Sequence, residues 1–294
     1  MLYNLSFIQN AVLNKDVDEE YKKYYTIRKY TTKSNEEYHI IRYTKEMLSP
    51  DLYPLYGLLR SVIVSGSKIV SFSPPKSILA ERFMTKYPNP NSDLKKIVAE
   101  QFIEGTMINV FHNGSFWQIA TKNSVGAEVS FYTGSKKTFH DMFFEACKET
   151  NLNFLDMLNP AYIYSFVMQH PDNKFVAPVT SSRLFLVAVY EIRNGYEVVE
   201  HDLESIKANK FITCCFPGRY EFETYSDLIN QFASPNTPYH IMGVIVKNVE
   251  TGERTKFRNP IYEEVRYLRG NQPKLMYQYL TLRQQGKISE YLRF

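Results

Sequence analysis

Residues 104–121 read EGTMINVFHNGSFWQIAT. Two runs of strand-forming residues flank Asn113-Gly114, and an Asn-Gly pair between such runs is the strongest short-range signal for a β-hairpin. The pattern recurs outward along the chain. Residues 60–73, RSVIVSGSKIVSFS, set alternating apolar residues around Ser65-Gly66-Ser67 and stop at Pro74-Pro75. Tyr162–Met168 and Arg183–Ile192 read as buried strands, the second turning at Asn194-Gly195. Tyr239–Asn248 turns at Thr251-Gly252 into Arg254–Arg258.

Helical spacing appears between these hairpins. Phe139, Met142, Phe143 and Ala146 make Ser135–Thr150 an amphipathic helix. Tyr225–Phe232 reads as a helix, and Pro260 opens another that runs to about Leu268. A last helix spans Lys274–Gln285, stopped by Gly286. Asn91–Glu100 reads as a short helix opening at Ser92 or Asp93. Asp16–Lys45, charged and rich in tyrosine, reads as a surface region with one short helix and one strand. This order predicts an α+β fold of antiparallel β-sheets flanked by helices. No glycine-rich loop follows a strand, so neither a Rossmann nor a P-loop nucleotide site is available.

The bulk numbers agree with a globular chain. Of 294 residues, 44% are hydrophobic, enough for a sizeable core, and the 23 tyrosines and 20 phenylalanines favour sheets. The net charge of +4 permits a phosphate-bearing partner without requiring one. The three cysteines, Cys147, Cys214 and Cys215, show no metal-ligand spacing and fit a reducing compartment. Met1–Asn10 lacks the basic flank and apolar run of a signal peptide, and no stretch is long enough to span a membrane.

Candidate chemistry is sparse. Lys256 and Arg258 alternate along one strand and share a face, where Arg254 extends them into a basic stripe suited to phosphate. Glu104 precedes Gly105 at the start of the deciding hairpin, and Lys122 ends it. A solvated strand end accounts equally well for either. Trp117 fits the core, and His170-Pro171-Asp172-Asn173 fits a turn with a structural histidine. No Ser/His/Asp or Cys/His set is spaced for catalysis, and six scattered histidines do not mark a metal site.

The segment Ile103-Glu104-Gly105-Thr106-Met107-Ile108, with His112-Asn113-Gly114-Ser115, Trp117 and Ala120-Thr121-Lys122-Asn123-Ser124, resembles the bacteriophage-type RNA ligases, a branch of the covalent nucleotidyltransferases that includes proteins of large DNA viruses. Upstream, Leu59–Val64, Gly66, Lys68–Ser71 and Pro75-Lys76 are similar to the family's segment before the nucleophile. Downstream, Tyr162–Val167 with His170–Val176 resembles its third motif. Gly243–Val246 resembles the fourth. Lys256–Pro260, with Tyr262 and Tyr267–Asn271, resembles the last motif and its helix. The resemblance covers about residues 55–275. It implies a nucleotidyltransferase (RNA/DNA ligase-like) domain with an extension at 1–54 packed on the core and a helix and tail at 276–294. It also implies a location in a host cytoplasm or a virion.

The departures bear on function. In the family a lysine three residues before the glycine attacks the α-phosphate; here that position is Phe102, which has no lone pair to offer. Lys95 and Lys96, six or more residues earlier on the expected helix, and Lys76, after the double proline, are the lysines weighed as replacements, and none lies on that strand. The third motif's glutamate is absent from a stretch centred on Ser165, and the fourth motif's metal-holding glutamate is Met242. Glu104, Gly105, Lys122, Lys256 and Arg258 remain, the groups that would bind a ribose and phosphates. The expected function is therefore a catalytically degenerate relative that binds a nucleotide or RNA end without forming a lysyl-nucleotide. It has no catalytic residue and no metal ligand of its own, although ATP or GTP with magnesium remains a candidate ligand. One alternative is an active RNA ligase or guanylyltransferase using another lysine. A further alternative is a structural subunit of a viral assembly, with protein partners and a cleft filled by Phe102 and Met242.

Overall fold

A computed structural model describes residues 1–13, 19–90, 96–132, 134–153, 157–208 and 212–294. Its strands are β1 (Leu2–Asn4), β2 (Tyr25–Thr31), β3 (Glu37–Tyr43), β4 (Val62–Ser65), β5 (Lys68–Phe72), β6 (Ile97–Gln101) and β7 (Thr106–His112). These are followed by β8 (Trp117–Ala120), β9 (Tyr162–Gln169), β10 (Arg183–Arg193), β11 (Glu197–Glu200), β12 (Arg219–Tyr220), β13 (Gly243–Asn248) and β14 (Arg254–Arg258). They form three antiparallel sheets, ordered β1-β11-β10-β9-β7-β8, β12-β6-β13-β14 and β2-β3-β4-β5. The α+β reading of the sequence is what the structure has. No helix among the described residues is long and apolar enough to cross a membrane.

The deciding hairpin forms, with His112 paired to Trp117. Its loop is therefore residues 113–116, longer than a two-residue turn. Asn113 Oδ1 accepts the backbone N–H groups of Ser115 and Phe116, each at 3.0 Å, so the side chain replaces the missing strand pairing. Strands β4 and β5 pair around Gly66. The helix Phe139–Glu149 begins at Thr138, whose hydroxyl accepts from Asp141 N while the Asp141 carboxylate accepts from Thr138 N. The helices Tyr225–Phe232, Pro260–Arg269 and Leu275–Gln284 lie where the spacing put them.

Three expectations need correction. Ile97–Gln101, the end of the expected 91–100 helix, is strand β6, because its β-branched residues pair with β13 on one side and β12 on the other. Residues 91–95 lie outside the described residues. The 16–45 region contributes two strands rather than one: β2 and β3 pair along seven residues and β3 joins β4. The strand expected from Tyr239 starts only at Gly243. Asn259 Nδ2 donates to the carbonyls of Pro238 (2.9 Å) and Ile241 (2.8 Å) and holds that stretch as a loop.

One face of the six-stranded sheet packs on the β2–β5 sheet through Tyr38, Ile40, Val62, Phe72, Phe111 and Tyr190. The opposite face packs on the 139–149 helix through Val110, Phe166, Leu184, Leu186, Met142 and Phe143. The third sheet buries its own core against the helices Ala80–Lys86 and Tyr225–Phe232. Cys147 lies buried in the second core, where loss of water pushes its thiol up to about 12.

Candidate phosphate-binding cleft

Residues 102–105 carry the chain from β6, in one sheet, to β7, in another. The cleft opens at this crossing. Its volume is about 400 Å³, and its walls include Phe102, Met107, Val167, Phe175, Met242 and Lys256.

Two glycines let the backbones meet there. A Cβ on Gly105 would lie 2.4 Å from Val167 Cγ1 and 2.7 Å from the Met168 carbonyl oxygen. A Cβ on Gly243 would lie 2.1 Å from the Phe257 carbonyl oxygen, and its φ of +125° already excludes most other residues. Gly243 thereby holds β13 tight against β14, the strand that carries the basic stripe.

Arg254, Lys256 and Arg258 all reach the cleft. Lys256 Nζ lies 4.5 Å from the centroid of the Phe102 ring, and the Arg258 guanidinium lies 5.4 Å from it. A second cavity of about 340 Å³ adjoins the first and shares Arg60, Lys256 and Arg258 with it. Lys76 and Lys122 line this second cavity, over the rings of Tyr53 (4.0 Å) and Tyr43 (5.5 Å). Arg258 is ion-paired to Glu263 at 2.6 Å. Among the described residues, Arg60, Lys76, Lys122 and Lys256 have no carboxylate partner; Arg60 reaches only the Pro74 carbonyl, at 3.5 Å.

This crowding leaves its mark on the lysines. Burial, then the charges of Arg60, Arg254, Arg258 and Lys76, hold Lys256 well below the usual lysine range. Burial, then Arg42, Arg60 and Lys45, pushes Lys122 down to about 8. Loss of water is the larger cause for both lysines, and the neighbouring cations add to it.

Glu104 is differently employed. Its two carboxylate oxygens accept the backbone N–H groups of Val176 and Ala177, both at 2.9 Å, tying that loop to the cleft edge. Met242 packs with Val176, Tyr239, Tyr262 and Val265. Ser165 is fully buried and donates to Asn109 Oδ1 at 2.8 Å, while Asn109 Nδ2 donates to Ser73 at 2.6 Å. A cleft filled by Phe102 and Met242 is not observed. Lys96 is paired with Glu250 at 3.2 Å, and Lys95 lies outside the described residues.

The donors in the cleft do not fit a protein-held divalent metal. Of the carboxylates lining the cleft, Glu100 faces Arg219 at 3.5 Å and Glu104 is occupied by amides, while Met242 offers no oxygen. Elsewhere Glu145, His170 and Asp172 come within reach of one another. Lys137 already bridges their two carboxylates at 2.6 and 2.8 Å, so an ammonium group balances that cluster.

The sequence pointed to Lys122, Lys256 and Arg258, and the structure brings these three together at the second cavity. It had not singled out Arg60 and Lys76 as site residues. Both belong to the stretch whose likeness to the ligase segment before the nucleophile was the available signal. Of the aromatic residues lining the cleft, Phe175 lies in the stretch resembling the third motif, while Phe131 and Tyr132 had no sequence signal.

No family model matches the chain. An immediate-early protein ICP-46 homolog of Invertebrate iridescent virus 6 is 27% identical over 255 residues, covering 80% of this chain and 55% of the viral protein. An RNA ligase of Rhodothermus phage RM378 is 26% identical over 171 residues, covering 55% of this chain and 35% of the ligase. The chain thus spans about half or less of the length of these curated relatives. Among solved structures, a putative ATP-dependent DNA ligase from Aquifex aeolicus superimposes with a TM-score of 0.51 at 13% identity, over 86% of this chain and 63% of the other. The fold is that of a ligase-type nucleotidyltransferase, and the sequence is similar to an RNA ligase.

Proposed function

We propose that the cleft binds a nucleotide or the phosphorylated end of an RNA, and that no lysyl-nucleotide forms at position 102. The observation that carries this reading is the group of cations without carboxylate partners around an open cleft: Arg60, Lys76, Lys122 and Lys256, with Arg258 beside them. Such a group is costly without an anion and favourable with one. The cleft's volume lies in the range of small-molecule sites, and Phe131 and Phe175 offer apolar faces for a base. Phe102 has neither the lone pair nor the charge of the nucleophile, and it serves instead as a ring under Lys256. In this reading Glu104 shapes the cleft edge, and Lys122, Lys256 and Arg258 hold phosphate.

Calorimetric titration with ATP, GTP and a 5′-phosphorylated RNA oligomer tests it, over a salt series. Binding that weakens as salt rises is the expected result, because bound phosphate displaces counterions. Absence of binding to all three at low salt removes the reading.

The position of Lys256 favours a second reading, an active nucleotidyltransferase with a relocated nucleophile. Its amine, held below the usual lysine range by burial and neighbouring cations, would lose its proton and attack the α-phosphorus of a nucleoside triphosphate. An N–P bond would form, the bond to the bridging oxygen would break, pyrophosphate would leave and the amine proton would pass to water. Incubation with α-labelled ATP and GTP, followed by a denaturing gel, separates the two. A labelled band lost in Lys256→Met establishes the second reading, and an unlabelled protein that still binds nucleotide supports the first.

A further inference from the structure

The cleft has an exit. The helices Pro260–Arg269 and Leu275–Gln284 enclose a groove of about 380 Å³, and Arg266, Arg269 and Asn271 line both this groove and the cleft. The rest of the groove mixes Tyr267 and Leu282 with Glu263, Gln272, Gln278 and Thr281, and Glu263 pairs with Arg266 at 3.1 Å, leaving Arg269 as the cation there without a carboxylate partner among the described residues. Arg269 has a buried Nε without a hydrogen-bond partner among the described residues, although its Nη1 donates to the Lys174 carbonyl at 2.5 Å.

The charge of this end of the chain is one-sided. Residues 254–294 contain nine lysines and arginines against three glutamates, an excess larger than the +4 of the whole chain. Exposed aromatic rings are interleaved with those cations. Tyr267 is 57% exposed, with Lys287 Nζ 4.9 Å from its centroid, and Tyr277 is 54% exposed, with Lys274 at 5.7 Å. Tyr279, Tyr291 and Phe294 are exposed as well.

Cations interleaved with aromatic faces along a groove are what a single strand of nucleic acid recognises: charge follows the backbone and rings stack on bases. Amide and hydroxyl side chains on the groove wall suit base edges and sugar hydroxyls. A protein partner is better matched to another face of the Leu275–Gln284 helix, where Met276, Tyr279 and Leu280 fall together at helical spacing and are exposed. That face turns away from Gln278, Thr281 and Gln285.

We propose that the groove between the last two long helices carries a single-stranded polynucleotide whose terminal phosphate sits in the cleft. The strand leaves past Arg266, Arg269 and Asn271, with bases against Tyr267. This inference rests on the phosphate-binding reading of the cleft and adds a direction and a polymer to it.

The test compares ATP with 5′-phosphorylated oligoribonucleotides of one, three, six and twelve residues, and the matching oligodeoxyribonucleotides, on the wild-type chain, Tyr267→Ala and Lys287→Glu. Both substituted residues are at the surface, and thermal unfolding confirms that the variants fold. Affinity in the wild type is expected to rise about tenfold or more between one and six residues. Each variant is expected to lose about fivefold or more for the longer oligomers and nothing for ATP. Equal gains with RNA and DNA assign the groove to phosphates and stacked bases, and a larger gain with RNA adds sugar-hydroxyl contacts; either outcome supports the proposal. If ATP binds but affinity does not grow with length, or both variants behave as wild type, the groove assignment falls while the cleft reading stands. If nothing binds, both fall. Self-association of the wild type that Tyr267→Ala abolishes would make the groove a protein interface and overturn the proposal.

Discussion

The Lys256 ammonium, on β14, stands 4.5 Å from the centre of the Phe102 ring, which lies on the crossing from β6 to β7. A charge from one sheet thus covers a ring on the crossing to another. The ring's electron-rich face partly offsets the neighbouring guanidinium groups, which no carboxylate does for Lys256 among the described residues. Phosphate affinity and apo stability should therefore pull against each other at this residue.

Lys256→Met keeps the length of the side chain and removes its charge. Nucleotide affinity is expected to fall about tenfold or more, the worth of a charge-assisted hydrogen bond. The unfolding midpoint of the free protein should stay level or rise, since a crowded cation is gone. Calorimetric binding and a thermal melt check the two halves. A midpoint several degrees lower would show Lys256 to be a structural contact.

Lys122 supplies a pH signature. Its folded value of about 8 lies below the ordinary 10.5. A depressed folded value contributes stability that is present above about pH 10.5 and lost as pH falls through about 8, so this group makes the free protein more stable as pH rises across that window. Phosphate binding has the opposite sign, because the ligand needs the proton in place. Affinity is expected to be greatest below about pH 8 and to fall as pH rises through it. Lys122→Arg, charged throughout, should flatten the profile, and titrations between about pH 7 and 9.5 would reveal it.

Gly243→Ala tests how β13 and β14 are held. The added methyl would meet the Phe257 carbonyl at 2.1 Å in a backbone conformation hostile to alanine. The expected cost is about 2–4 kcal/mol in urea unfolding. Nucleotide affinity should drop with it, because Lys256 and Arg258 ride on the displaced strand. Unchanged unfolding would mean that the two strands are not in close contact.

Asn109 joins Ser73 and Ser165 in a buried polar row that does not line the cleft. Asn109→Ala leaves two buried hydroxyl groups short of a partner, which should cost roughly 1–3 kcal/mol in the same assay. Binding measured well below the unfolding midpoint should change less than twofold, because none of the three reaches the ligand.

Local pattern carried much of the fold into view. Alternating apolar residues around Asn113-Gly114, Ser65-Gly66-Ser67 and Asn194-Gly195 encode hairpins, and the spacing of Phe139, Met142, Phe143 and Ala146 encodes a helix. These features depend on neighbours within a few residues. Strand β6 was misread because its identity depends on β13, nearly 150 residues further along the chain. Tertiary pairing overrode a weak local preference there. The 16–45 region hid its second strand because β2 lies at a sheet edge and buries little, leaving no apolar alternation to read.

From the residues alone came the α+β class, the likeness to the RNA ligases, the aromatic ring at position 102 and the basic stripe of Lys256 and Arg258. Each is a matter of residue type and short spacing. Folding decided the rest: that the cleft is open, that Glu104 is tied to two amides, and that Arg60 and Lys76 gather with Lys122 and Lys256 away from any carboxylate. Electrostatic character belongs to distances between side chains, and those distances arise only when separate sheets meet.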